Sequence, residues 1–301
     1  MGATILRSTL PDLYLDLLAN LDRVVYGRFD IPLQMTQLFN MMKGNGSFLN
    51  ETTVSGFGTV PIKYESQASA LDQIYQGFDK KYTPVVYSLM YSISKEAMDD
   101  QNFIQIAKNA RALERSFRST KETILAGMLN NGFDTTTTAD GAYLFSASHK
   151  MLPSGTQSNL LAADLSVTSL QTALNQYADT TDERGLLLNL KPGRLVVPME
   201  LNWLAKEILK SDLRSDTSAN AMNAFKDQAL AITVINYLTD PDAWFLFPAN
   251  NSEHDMKVIQ WDNFQTYADT DFDTDDLKYK GSERYAYGIT TWEGLLGSAG
   301  V

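Results

Sequence analysis

Apolar residues recur at helical spacing over 11–28, where Leu13, Leu17, Leu18, Leu21, Val24 and Val25 fall on one side and Pro11 stands at the start. The spacing predicts an amphipathic helix there. The next stretch, GNGSFLNETTVSGFG at 44–58, is glycine-rich and polar and reads as loop. Two β-type runs follow, TVPIKYES (59–66) and YTPVVYSLMYSIS (82–94). In the second, Val86, Ser88, Met90 and Ser92 alternate with Tyr87, Leu89, Tyr91 and Ile93. The polar QASALDQIYQGFDKK between the runs makes the pair a long hairpin whose tip has little to bury.

The strongest local signal lies between Lys95 and Asn131, which holds no Pro and no Gly except Gly127. Phe103, Ile106, Ala107, Ala110, Leu113, Phe117, Ile124 and Met128 fall at helical spacing. Glu114 precedes Arg118 by one helical turn, a favourable pair, and Asn131-Gly132 supplies a stop. A helix of that extent would span roughly 55 Å. Two readings stand: one long spine, or a helix broken by a kink near Ser116 to Thr120.

Beyond it, 133–162 reads as loop with short strands, and 166–179 (SVTSLQTALNQYAD) as a helix capped by Ser166 or Thr168. GRLVVPMELNWLAKEILKS predicts a buried strand followed by a helix from about Glu200 to Lys210. ALAITVINYL, AWFLFPA and MKVIQWDNF read as strands, and the tail DDLKYKGSERYAYGITTWEGLLGSAG as strand, turn and strand. The order is mixed α+β without a regular βαβ rhythm.

Composition narrows the function classes. The chain of 301 residues is 44% hydrophobic, enough for a substantial core, with a net charge of -11. That acidity argues against a dedicated nucleic-acid or anionic-membrane binder. The absence of Cys excludes disulfides, thiolate nucleophiles and Cys-ligated metal centres, and fits an intracellular protein. Asp12 and Asp16 interrupt any signal-peptide core, and Leu6 misses the myristoylation pattern. No run of about 18 apolar residues predicts a membrane span.

Three stretches invite a chemical reading. LFSASHK (144–150) places His149 beside Ser146 and Ser148, residue types of a serine hydrolase. No GxSxG elbow accompanies them, and sequence neighbours rarely supply each other's catalytic geometry, so a structurally bonded loop histidine is favoured. DTDFDTDD (269–276) would place Asp269, Asp271, Asp273 and Asp275 on one side if extended, a weak candidate for a metal site. Counting from Asp269, the sixth and twelfth positions are Thr274 and Lys280, where a calcium-binding loop needs Gly and Glu, so a solvated turn is favoured. GFGTVP (56–61) lacks the third glycine and the following helix of a dinucleotide site. No cofactor is expected.

The stretch DGAYLFSASHKMLPSGTQSNL (140–160) resembles a hallmark of the Mu-like phage major head subunit family, carried here by Asp140, Gly141, Leu144, Phe145, Ser146, His149, Ser158 and Asn159. RLVVPMELNWLAKEIL (194–209), AWFLFP (243–248) and YKGSERYAYGITTWEGLLGS (279–298) resemble its later motifs in the same order, so the likeness runs over about 85–298. That family is similar in fold to the Hong Kong 97-type capsid proteins.

The resemblance implies an α+β subunit with an N-terminal arm (1–43), an extended hairpin or E-loop (44–94), a peripheral domain with a spine helix (95–162), an axial domain (163–255) and a peripheral return (256–301). It implies a major capsid protein, not an enzyme, that self-assembles into hexamers and pentamers around double-stranded DNA held without sequence-specific binding. Portal and scaffold proteins, and a decoration protein, are the implied partners. The virion capsid is the implied location, with assembly in the host cytoplasm and no membrane. Asp140, Gly141, Phe145, His149, Ser158 and Asn159 are then expected to fix a structural loop. Lys80 and Lys81 lie in the hairpin, but no motif marks them for covalent crosslinking. An encapsulin-type shell around an enzyme cargo and a soluble hydrolase using His149 are the alternatives.

Overall fold

The computed structural model describes residues 33–96, 103–211 and 230–300, with Phe225 and Gln228. The helix expected over 11–28, the segments 97–102 and 212–224, and the side chains of Phe103, Ile106 and Ala107 lie outside the described residues.

Two sheets organise the rest. The first has four strands in the order β1 (Asn40–Lys43), β11 (Lys257–Thr270), β12 (Leu277–Gly288) and β4 (Val85–Ile93). The second has five, β7 (Leu160–Leu161), β13 (Leu296–Ser298), β10 (Trp244–Pro248), β8 (Pro192–Val197) and β9 (Ala231–Val234). The alternation read in 82–94 is realised in part in β4: Tyr87, Tyr91 and Ile93 turn inward and Val86 and Met90 stay exposed, but Leu89, read on the same side as Tyr87, is exposed too. β10 is buried throughout, because both of its faces are covered. Its residues separate by the two-residue strand period: Trp244 and Leu246 join one core, Phe245 and Phe247 the other.

The spine is α1 (Phe103–Asn130), a single helix that continues through Ser116 to Thr120 without the kink weighed above. Ala110, Leu113 and Phe117 pack on Ile93, Leu277 and Tyr279 of the first sheet. Leu125, Ala126 and Leu129 enter a core shared with Val258 and Tyr285 of the first sheet and Val196, Phe245 and Phe247 of the second. The helix therefore wedges the two sheets together. On the far side of the second sheet lie α2 (Val167–Ala178) and α3 (Asn202–Lys210), which bury Leu170, Ala173, Tyr177, Ala205 and Leu209 against Leu195, Val197, Trp244 and Leu246. Ser166, not Thr168, caps α2, in a reciprocal capping box with Ser169.

The hairpin differs from the sequence reading. Its stem pairs β2 (Leu49–Val54) with β3 (Gln76–Tyr82), whereas TVPIKYES forms no strand and β4 (Val85–Ile93) pairs with β12 instead. LNETTV, read as loop, carries the β-branched residues and alternating burial of a strand, and Pro61 removes a ladder donor from the run that was favoured. Sheet pairing also crosses the expected divisions. β1 of the arm and β4 of the hairpin segment lie in the first sheet, and β7 and β13 of the peripheral segments lie in the second. The acidic run is not extended: β11 ends at Thr270 and β12 begins at Leu277.

Candidate functional site

His149 sits at the centre of the structural loop and is fully buried. Its Nδ1 lies 2.9 Å from Asp140 Oδ2, and its Nε2 lies 3.1 Å from Asn159 Oδ1. Asn159 is fixed in turn, accepting from Ser146 N at 2.9 Å and donating to Leu144 O at 2.8 Å. Asp140 also accepts from the Thr138 hydroxyl, from Ala142 N at 3.0 Å and from Lys150 N at 3.2 Å. Burial pushes the Asp140 carboxyl up, but the hydrogen bonds from His149 and Thr138 and the charge of His149 outweigh it and hold the group down at about 2.

Local sequence explains this geometry. Gly141 takes φ +81, in the left-handed region that glycine enters without a Cβ clash, and so turns the chain between Thr138 and Ala142. Phe145 anchors the loop in the shared core, with its ring 5.1 Å from Phe133 and 5.2 Å from Phe245. Ser158 bonds locally to Leu160, and its carbonyl accepts from Gln176 of α2 at 2.9 Å. The six residues expected at this loop thus fall within one region, and Asp140, His149 and Asn159 form a continuous buried chain of hydrogen bonds.

The arrangement expected of a serine hydrolase is not seen at His149 among the described residues. Both ring nitrogens of His149 are engaged by Asp140 and Asn159, so neither faces a serine hydroxyl. Ser146 Oγ instead accepts from Ser148 N at 3.2 Å.

Two further clusters escaped the sequence reading. At the root of the hairpin, Glu51 Oε2 accepts from Lys257 Nζ at 2.5 Å and from Thr290 Oγ1 at 2.6 Å. Tyr82 OH lies 2.7 Å from the same Thr290 hydroxyl, and Asp255 Oδ1 lies 2.7 Å from Lys257 Nζ. These contacts tie β2 and β3 to β11 and to the segment after β12. Burial, then the neighbouring Glu51 and Asp255 charges, push the Tyr82 phenol up. The second cluster is Glu122 of α1, which accepts from Met35 N at 2.7 Å and from Thr36 N at 3.2 Å. Separations of 206 and 87 residues leave no local signal for either contact.

The weak metal candidates fall at the β11–β12 turn. Asp271 pairs with Lys278, Asp275 lies 3.0 Å from Lys95 Nζ, and Asp269 and Asp273 are exposed. The extended alternation that would have aligned the four carboxylates does not occur, because the chain turns at Asp271. Among the described residues, no group of three or more His, Asp or Glu is placed to hold a metal ion. No described helix is long and apolar enough to cross a membrane.

The sequence model of a phage capsid protein family matches residues 77–297. The chain belongs to that family. No curated protein matches it. Among solved structures, this capsid protein is similar to the capsid of a native GTA particle, at 12% identity and a TM-score of 0.59, covering 90% of this chain and 91% of that one. It is similar to the capsid of Myoviridae phage XM1 at 10% identity and a TM-score of 0.53, covering 92% and 94%. The virus-like particle from Pyrococcus furiosus is a third, at 11% identity and a TM-score of 0.50, covering 95% and 99%. At such identities the likeness is one of fold, and the fold is the Hong Kong 97 type.

Proposed function

We propose that this phage capsid protein is the major head subunit of a tailed phage. It assembles with itself into hexamers and pentamers that close a shell around double-stranded DNA, without reading sequence and without a catalytic role. The observation that carries this reading, beside the family, is a hairpin loop that the subunit leaves uncovered. Val60, Ile62 and Leu71 are 92%, 80% and 95% exposed, at the end of a stem riveted by Glu51, Lys257 and Thr290. An apolar loop on a rigid stem gains its cover from a neighbouring subunit.

In this reading the segment from about 33 to 43 ends the arm, 49–82 is the E-loop, the four-stranded sheet with α1 is the peripheral domain, and the five-stranded sheet with α2 and α3 is the axial domain. Asp140, Gly141, Phe145, His149, Ser158 and Asn159 lock the joint between those two domains. Portal and scaffold proteins and a decoration protein complete the head, which assembles in the host cytoplasm.

Negative-stain electron microscopy with sedimentation velocity tests the proposal. Closed shells, tubes or discrete pentamers and hexamers are expected; a monomer at every concentration, with candidate scaffold present, would sink it. A second reading, an encapsulin-type shell around an enzyme, draws on the likeness to the Pyrococcus furiosus virus-like particle. A protein cargo co-purifying with DNA-free shells would select it.

A further inference from the structure

The turn between β11 and β12 presents Phe272 to solvent with 96% of its surface exposed. It is not a slack loop. Asp271 N donates to Asp276 O at 2.9 Å, Asp275 N to Asp271 O at 3.0 Å, and Asp273 N to Asp271 Oδ1 at 3.1 Å. The ring is therefore held out on an ordered turn, flanked by exposed Asp269 and Asp273, neither of which makes an ion pair among the described residues. A large aromatic held in water with acidic neighbours is the shape of an interface anchor whose counterpart has a cationic rim.

The outer face of α1 has the opposite charge. Arg111 and Arg115 are exposed there and make no ion pair among the described residues. The two glutamates of the helix are engaged elsewhere, Glu114 with Arg118 at 2.9 Å and Glu122 with Met35 and Thr36. Beside Arg115 the helix presents an open, shallow face of small side chains, Ala112, Ser116 and Thr120. It faces away from the sheet, because Ala110, Leu113 and Phe117 occupy the opposite side of the helix.

We propose that the Phe272 turn of one copy docks on the Arg111–Arg115 face of α1 in a second copy. The inference rests on the shell reading and names one of its contacts. The occupant is a second copy because the chain itself carries both halves of the match, an acidic turn with an aromatic tip and a basic helix face whose small side chains leave the ring open access. The two halves lie at the same end of the first sheet, since Leu277, which closes the turn, packs against Ala110 and Leu113. The contact joins unlike surfaces, so copies gathered at that end each give a turn and receive one, as head-to-tail contacts require for ring closure. The arginines and aspartates set register and speed encounter, while the ring supplies the buried anchor.

The test uses the full chain and its assembly, followed by light scattering and sedimentation velocity over a range of concentrations. Phe272→Ala, Arg115→Glu and Asp273→Arg are each expected to raise the concentration needed for assembly about tenfold or more, with unchanged melting of the unassembled subunit. The double variant Asp273→Arg with Arg115→Glu is expected to recover most of the loss, because the swapped charges attract again. Single variants that assemble like the wild type, or a double variant as poor as its two losses combined, overturn the contact while leaving the shell reading in place. Rescue failing while a short DNA duplex binds the wild type and not Arg115→Glu assigns the arginine face to nucleic-acid phosphates and overturns the contact equally. A wild-type chain that forms no shells overturns the shell reading itself.

Discussion

The imidazole of His149 stacks on the indole of Trp292 with ring centroids 4.8 Å apart and planes 12° from parallel. The stack joins the motif loop to the segment between β12 and β13. It places a flat apolar cover over a ring whose edges are held by Asp140 and Asn159. A ring so enclosed touches three chain segments at once.

Replacing His149 by Ala is expected to remove the stack and leave Asp140 and Asn159 buried without their partner. The cost is about 2–4 kcal/mol, read as a loss of denaturant midpoint in the unassembled subunit. A variant as stable as the wild type would contradict the role assigned to this loop.

The Asp140 carboxyl gives that loop a pH dependence. Its value in the folded protein, about 2, lies below the unfolded carboxylate range. The stabilisation it contributes is therefore fully present above about pH 4 and lost as the pH falls towards 2. Its size is about 2 kcal/mol. Asp140→Asn is expected to flatten the stability profile between those limits, and an unchanged slope would rule the contribution out.

The hairpin root makes a separate prediction. Glu51→Ala removes the acceptor shared by Lys257 and Thr290 and is expected to cost about 1–3 kcal/mol. Hydrogen exchange should rise in Leu49–Val54 and Gln76–Tyr82, with α2 protected as before. Equal loosening throughout the molecule would mean that the root does not act as a local rivet.

Gly193 tests the packing of the second sheet. A Cβ at this position would lie 2.4 Å from the backbone Cα of Ala249, which cannot swing aside as a side chain would. Gly193→Ala is expected to destabilise the subunit by about 1–3 kcal/mol, visible as a lower melting temperature.

Replacing the loop 57–74 by a short turn separates folding from assembly. The loop contributes no described strand, its apolar side chains are exposed, and the Asp72–Arg184 pair at 2.7 Å is its one ion pair to the rest of the subunit among the described residues, so melting should fall only slightly. Shell formation should be lost. Normal shells from the shortened chain would remove the loop from the assembly contacts.

Local pattern alone determined the elements whose partners are close in sequence or whose burial follows a simple period. The spine, β4, β8, β10 and α2 were all legible in this way, because a strand or helix writes its buried face into every second or every third to fourth residue. The resemblance marked Asp140, His149 and Asn159, which lie within 20 residues of one another, but not the hydrogen bonds that join them. Tertiary structure decided what those elements meet. Nothing near LNETTV announces that it pairs with Gln76–Tyr82 rather than leaving that role to TVPIKYES, and nothing near Glu51 announces Lys257. Trp292 could be read as part of a closing motif but not as the cover of His149. Such pairings depend on closing long loops so that many contacts form together, and that cooperative choice leaves no periodic trace in the residues on either side.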